Sequence, residues 1–329
     1  MFFFVSCNHG KVSENSSSVP FDSISKNLDV SELNLKIAHD STNPNLYFQR
    51  AQYFLDHHRL NEAMMDMSRV LKLDSTKPEY LITFSDIYFA GNHTGKSKDA
   101  LEQCLKIDPS NTKAMLKLAE LFLYVKKHEQ AIQMINAALK INNNLALGYY
   151  LKGLTYKDVG DTAKAISSFV TATEQNPDDY LSYSELGMLF ANRKNPLAVQ
   201  YFNNALRIEP KSEEIYYNRG KYYQDNQQWN LAKSDYLSLI RLNEASVNAH
   251  YNLGAILLVE NKLDSAQIEF AAALKSRPNY VEAIFAQGVC LKMKGKVQEA
   301  VNEFKHALTL QPDFKPALEA LNLKVPTHS

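Results

Sequence analysis

The chain has 329 residues, 45% apolar and 22% charged, and its 36 lysines and arginines balance its 36 aspartates and glutamates. That is enough apolar material for a large core, and a neutral chain with no basic block excludes the clustered positive field expected of a nucleic-acid binder. No apolar run reaches the length of about 18 residues needed to span a bilayer.

The chain opens with MFFFVSC and continues into a polar tract, NHGKVSENSSSVP. Phe4-Val5-Ser6-Cys7 resembles the end of a bacterial lipoprotein signal, in which the cysteine becomes the lipidated first residue of the mature protein. On this reading Cys7 is the lipidation site and residues 1–20 are a signal remnant plus a flexible Asn/Ser-rich tether. The apolar run is shorter than a signal core and has no basic residue before it, so the true start is expected upstream of Met1. The alternative is an ordinary frayed N-terminus with an incidental cysteine. Residues 21–43 carry Ile24, Leu28, Leu33, Ile37 and Ala38 at near-helical spacing, which predicts a capping helix or degenerate repeat.

From residue 44 onward the chain repeats itself. A small residue recurs as Gly153, Gly187, Gly220, Gly254 and Gly288, at steps of 34, 33, 34 and 34. An alanine recurs as Ala131, Ala165, Ala198, Ala232, Ala266 and Ala300, again at 34 apart from one step of 33. Prolines close the units at Pro109, Pro177, Pro210, Pro278 and Pro312, where a residue without an N–H cannot continue a helix. One deletion between Gly187 and Ala198, in the turn ANRKNP, satisfies the glycine and alanine ladders together. Each period holds two amphipathic helices whose apolar surface exceeds what the pair can hide, so it needs neighbours of its own kind.

These marks resemble the tetratricopeptide repeat family, whose unit of about 34 residues is a helix–turn–helix. The resemblance implies an all-α fold, a right-handed α-solenoid of eight units at 44–77, 78–111, 112–145, 146–179, 180–212, 213–246, 247–280 and 281–314. Residues 315–329 then form a C-terminal capping helix and tail.

Candidate chemistry is sparse. Ala90–Ser97, AGNHTGKS, matches a loose phosphate-loop pattern, but that motif needs a strand before it, and here a first helix precedes it. Cys104 and Cys290 sit at inward-facing positions, six stacked repeats apart and beyond disulfide reach, and read as small buried hydrophobes. The histidines lack partners at ligand spacing, and no catalytic triad can be assembled, so neither a metal, a cofactor nor an enzymatic activity is expected.

What the family resemblance implies is a concave groove lined by first helices. Carried onto this chain, it comprises Phe48, Ile82, Phe89, Leu116, Leu123 and Tyr124, then Tyr150, Leu151, Leu154 and Met188, then Tyr217, Tyr251, Leu258, Phe285 and Met293. Asn218 and Asn252 occupy equivalent positions suited to a peptide backbone. Lys113, Lys117 and Lys221 are its basic members, and Glu79, Asp86, Glu120, Glu185 and Glu214 its acidic ones. No three consecutive units supply the family's Lys/Asn/Arg clamp for C-terminal carboxylates. The groove therefore suits an aromatic-anchored or apolar partner segment, with about half of its apolar residues expected to pack between repeats. The expected role is a non-enzymatic adaptor for another protein, lipid-anchored in a bacterial envelope, or a soluble cytoplasmic regulator if Cys7 is unmodified. Self-association stays open.

Overall fold

The computed structural model describes residues 30–323, which form eighteen α-helices and no strand. Cys7, the tether, Ile24, Leu28 and residues 324–329 lie outside the described residues. Two compact units divide the chain, Met1–Ala114 and Met115–Ser329.

In the first unit, α1 (Val30–His39) precedes the pairs α2 (Pro44–Asp56) with α3 (Leu60–Leu73) and α4 (Pro78–Ala90) with α5 (Thr94–Ile107). α6 (Thr112–Tyr124) begins in this unit and continues in the second. The second unit adds α7 (His128–Ile141), then α8 (Ala146–Asp158) with α9 (Thr162–Gln175), and α10 (Tyr180–Asn192) with α11 (Leu197–Ile208). It continues with α12 (Glu213–Asp225) and α13 (Trp229–Leu242), α14 (Val247–Val259) and α15 (Leu263–Ser276), and α16 (Val281–Met293) and α17 (Val297–Leu310), ending on α18 (Lys315–Ala320).

The same turn joins every pair. A left-handed residue follows the first helix at His58, Asn92, Lys126, Gly160, Lys194, Gln227, Asn261 and Gly295. Its N–H and the next one bond back to the helix end, as Gly160 does to the Lys157 carbonyl (3.1 Å) and Asp161 to that of Tyr156 (2.9 Å). That pair of bonds satisfies carbonyls the helix terminus would otherwise leave open. The left-handed residues also locate the deletion. They step by 34 until Lys194 and by 33 to Gln227, so the missing residue lies after Lys194. The first turn of α11 absorbs it: the Ala198 N–H bonds to Asn195, three residues back (3.1 Å), whereas Ala165 bonds to Asp161, four back (3.0 Å).

Packing within a pair turns on one contact. A β-carbon at Gly153 would stand 2.5 Å from the Phe169 ring, at Gly187 2.5 Å from Phe202, and at Gly254 2.8 Å from Phe270. No real β-carbon tolerates such distances, so the glycine is what lets the second-helix ring lie against the first helix. Gly220 with Tyr236 and Gly288 with Phe304 repeat the arrangement. In the first three pairs the small residue is Ala51, Ser85 or Ala119 and the filler is Met67, Leu101 or Ile135, all buried.

Polar ties join neighbouring repeats. Arg219 grips Asp235 through two bonds (2.9 and 2.6 Å) and reaches Asn203 of the preceding repeat. Arg50 does the same with Asp66 (2.7 and 2.7 Å) and Asn34 (2.5 Å). Because Asn34 takes the place of Asn203, α1 stands as the second helix of a preceding repeat, with Leu33 and Ile37 buried at core positions. The linker chemistry agrees. Asp40, Asp74 and Asp108, spaced by 34, each accept an N–H two residues on, from Thr42, Thr76 and Ser110. At the other end α18 starts as a first helix and stops at a left-handed Asn322.

Candidate functional site

The first helices present one stripe each, and the structure divides the sequence-predicted groove residues by position in the repeat. Phe48, Ile82 and Leu116 are buried and belong to the part of the groove list expected to pack between repeats. They share their repeat position with Tyr150, Tyr217, Tyr251 and Phe285, which are half-buried. Phe48 packs against Tyr80 at the start of the next repeat (ring centroids 4.8 Å), whereas the later aromatics lean toward their own second helix. Tyr150 lies against Phe169 (ring centroids 5.9 Å), Tyr251 against Phe270 (5.8 Å) and Phe285 against Phe304 (5.2 Å). Tyr251 also meets Tyr280 and Phe285 meets Phe314, across the next linker. Aromatic pairs at such separations contribute packing energy beyond their area. Leu151 and Leu258 are buried as well.

The surface that stays open lies one turn to either side. Tyr124 is 59% exposed, and Phe89 and Met293 are exposed too. Lys113 and Lys221 are exposed, while Lys117, Leu154, Met188, Asn218 and Asn252 are half-buried. In the first unit, Phe48, Ile82 and Lys113 come together around a shallow cleft of about 460 Å³, with Gln52, Lys77, Glu79, Thr83 and Asn111 on its walls.

In the second unit the first helices carry charges of both signs. Lys157 of α8 bridges to Glu185 of α10 (2.6 Å). Burial raises the pKa of the Tyr150 phenol, and the carboxylates of Glu185, Asp179, Glu120 and Glu214 raise it further. Glu214 is exposed at its surface, yet crowding by protein and then Glu185 push its carboxyl above the usual carboxylate range, with Lys157 opposing. Lys221 pairs with Asp225 on its own helix (3.5 Å).

The two asparagines differ. Asn252 hydrogen-bonds the buried Tyr236 hydroxyl, which itself donates to Gln224 (2.7 Å). That contact engages one N–H of the Asn252 amide and leaves its second N–H and its carbonyl. One repeat earlier Phe202 holds the place of Tyr236 and offers Asn218 no hydroxyl. The signal was in the sequence, in a Phe-to-Tyr change sixteen residues before each asparagine. Lys157 shares its repeat position with Phe89, Leu123 and Leu258, but its bridge to Glu185 depends on which side chains of neighbouring repeats meet, which spacing does not record.

The loop that matches a phosphate-binding pattern is the turn between α4 and α5. Residues 78–90 before it are helical, Ser97 is buried and Lys96 lies over the Tyr88 ring. Both described cysteines are buried and their thiols pushed up to about 11 by that burial, which keeps them protonated and poor nucleophiles. Among the described residues no group of three His, Cys, Asp or Glu could hold a metal ion, and no helix is long and apolar enough to cross a membrane.

Family models described as tetratricopeptide repeat match residues 78–111, 112–145 and 146–179, and residues 217–267 and 257–313. Together they cover more than half of the chain. Among curated proteins, the peroxisomal targeting signal receptor of Saccharomyces cerevisiae is 25% identical over 222 residues, 54% of this chain and 36% of that protein. Tetratricopeptide repeat protein 6 of Homo sapiens is 26% identical over 159 residues, 48% of this chain and 30% of that one. The chain thus spans about a third of the length of these relatives. Among solved structures, the C-terminal part of a TPR repeat-containing protein from Cytophaga hutchinsonii matches with a TM-score of 0.63 at 16% identity, covering 73% of this chain and 99% of that one. The Cut9 and Hcn1 hetero-tetramer of the APC/C matches with a TM-score of 0.55 at 18% identity, over 79% of this chain and 52% of that one. At these identities the likeness is one of fold.

Proposed function

Because the chain belongs to the tetratricopeptide repeat family, we propose that it is a non-enzymatic scaffold that holds a segment of another protein on the face of its first helices. The observation that carries this reading is the open stripe of Tyr124, Leu154, Met188, Asn218 and Lys221 beside a rigid aromatic layer. Aromatic and apolar side chains fixed by their own packing anchor a partner at low entropic cost. The curated relative named as a targeting signal receptor supports a protein partner.

A photo-crosslinking side chain placed at Tyr124, Met188 or Lys221 tests it, with Met65 and Ile268 as second-helix controls, 74% and 67% exposed. Adducts with one protein from the first-helix sites alone are expected. Equal labelling from the controls would sink the proposal.

We propose further that Cys7 is lipidated and tethers the scaffold to a bacterial envelope membrane. The support is the Phe4–Cys7 pattern followed by a polar tract. An alkyne-palmitate label on the full-length chain that disappears in Cys7→Ser is the expected result. An unlabelled wild type would move the scaffold to the cytoplasmic alternative.

A further inference from the structure

We draw no further inference here: the strongest candidate, the apolar surface patch of Leu197, Leu231, Leu237 and Ile268 exposed on the second helices α11, α13 and α15, carries nothing because nothing in the structure shows what covers it.

Discussion

The first three repeats and the last five solve one packing problem in two ways. In repeats one to three an Ala or Ser on the first helix meets Met67, Leu101 or Ile135. In repeats four to eight a glycine meets an aromatic ring, at 2.5 Å from a notional β-carbon in the tightest cases. The total volume is conserved: one side gives up a methyl and the other gains a ring. Volume-conserving exchange is what close-packed interiors tolerate. The glycine version lets a flat ring bury more surface, at the expense of a helix-interior glycine. The difference extends outward, because the aromatic layer of the later repeats is what Tyr150, Tyr251 and Phe285 stack on.

The largest expected effect comes from a tie that both regions share. Asp235→Ala leaves the Arg219 guanidinium half-buried without its bidentate partner and should cost about 3–5 kcal/mol. Asp66→Ala should cost a similar amount in the first region, read from denaturant midpoints with hydrogen exchange resolving the helices that open. A loss under about 1 kcal/mol, the range of exposed pairs, would mean the bridge is ornamental.

Next comes the small-residue contact itself. Gly187→Ala pushes a β-carbon into the Phe202 ring and should destabilise the pair by about 1–3 kcal/mol. Adding Phe202→Ile rebuilds the Ala119 and Ile135 solution of repeat three, so the double variant should recover stability relative to Gly187→Ala. Simple additivity of the two losses would break the comparison. In the other direction, Ala119→Gly should cost about 1 kcal/mol, from helix propensity and a lost methyl, with no clash to relieve.

The smallest effect is electrostatic. The folded-state pKa of Glu214 lies above its ordinary value, so the folded chain holds this proton more tightly than the unfolded one, and stability from this group falls as pH rises through that window. Glu214→Gln should therefore be slightly more stable than wild type at neutral pH. That advantage should vanish below about pH 4, where the unfolded carboxyl is protonated too. An advantage that persists in acid would point to packing and not to charge.

Much of the architecture was legible because a repeat writes its contacts at fixed spacing. The glycine and alanine ladders marked the helix pairs, and both described ends follow the same register. Leu33 and Ile37 read as second-helix positions and are buried there. The candidate site was less legible. Positions alone listed Phe48, Ile82 and Leu116 with the later groove aromatics, but these three are buried, Phe48 against Tyr80 of the next repeat. Rotation of a helix about its axis depends on what it packs against, and periodicity does not record it.

By itself, then, the sequence determined the all-α class, the number and phase of the helix pairs, and the single deletion, because each rests on local spacing repeated many times. Only the tertiary structure decided where the deletion is absorbed and which tyrosines are half-spent on packing. Those outcomes depend on which side chains from different helices meet, which local spacing does not record.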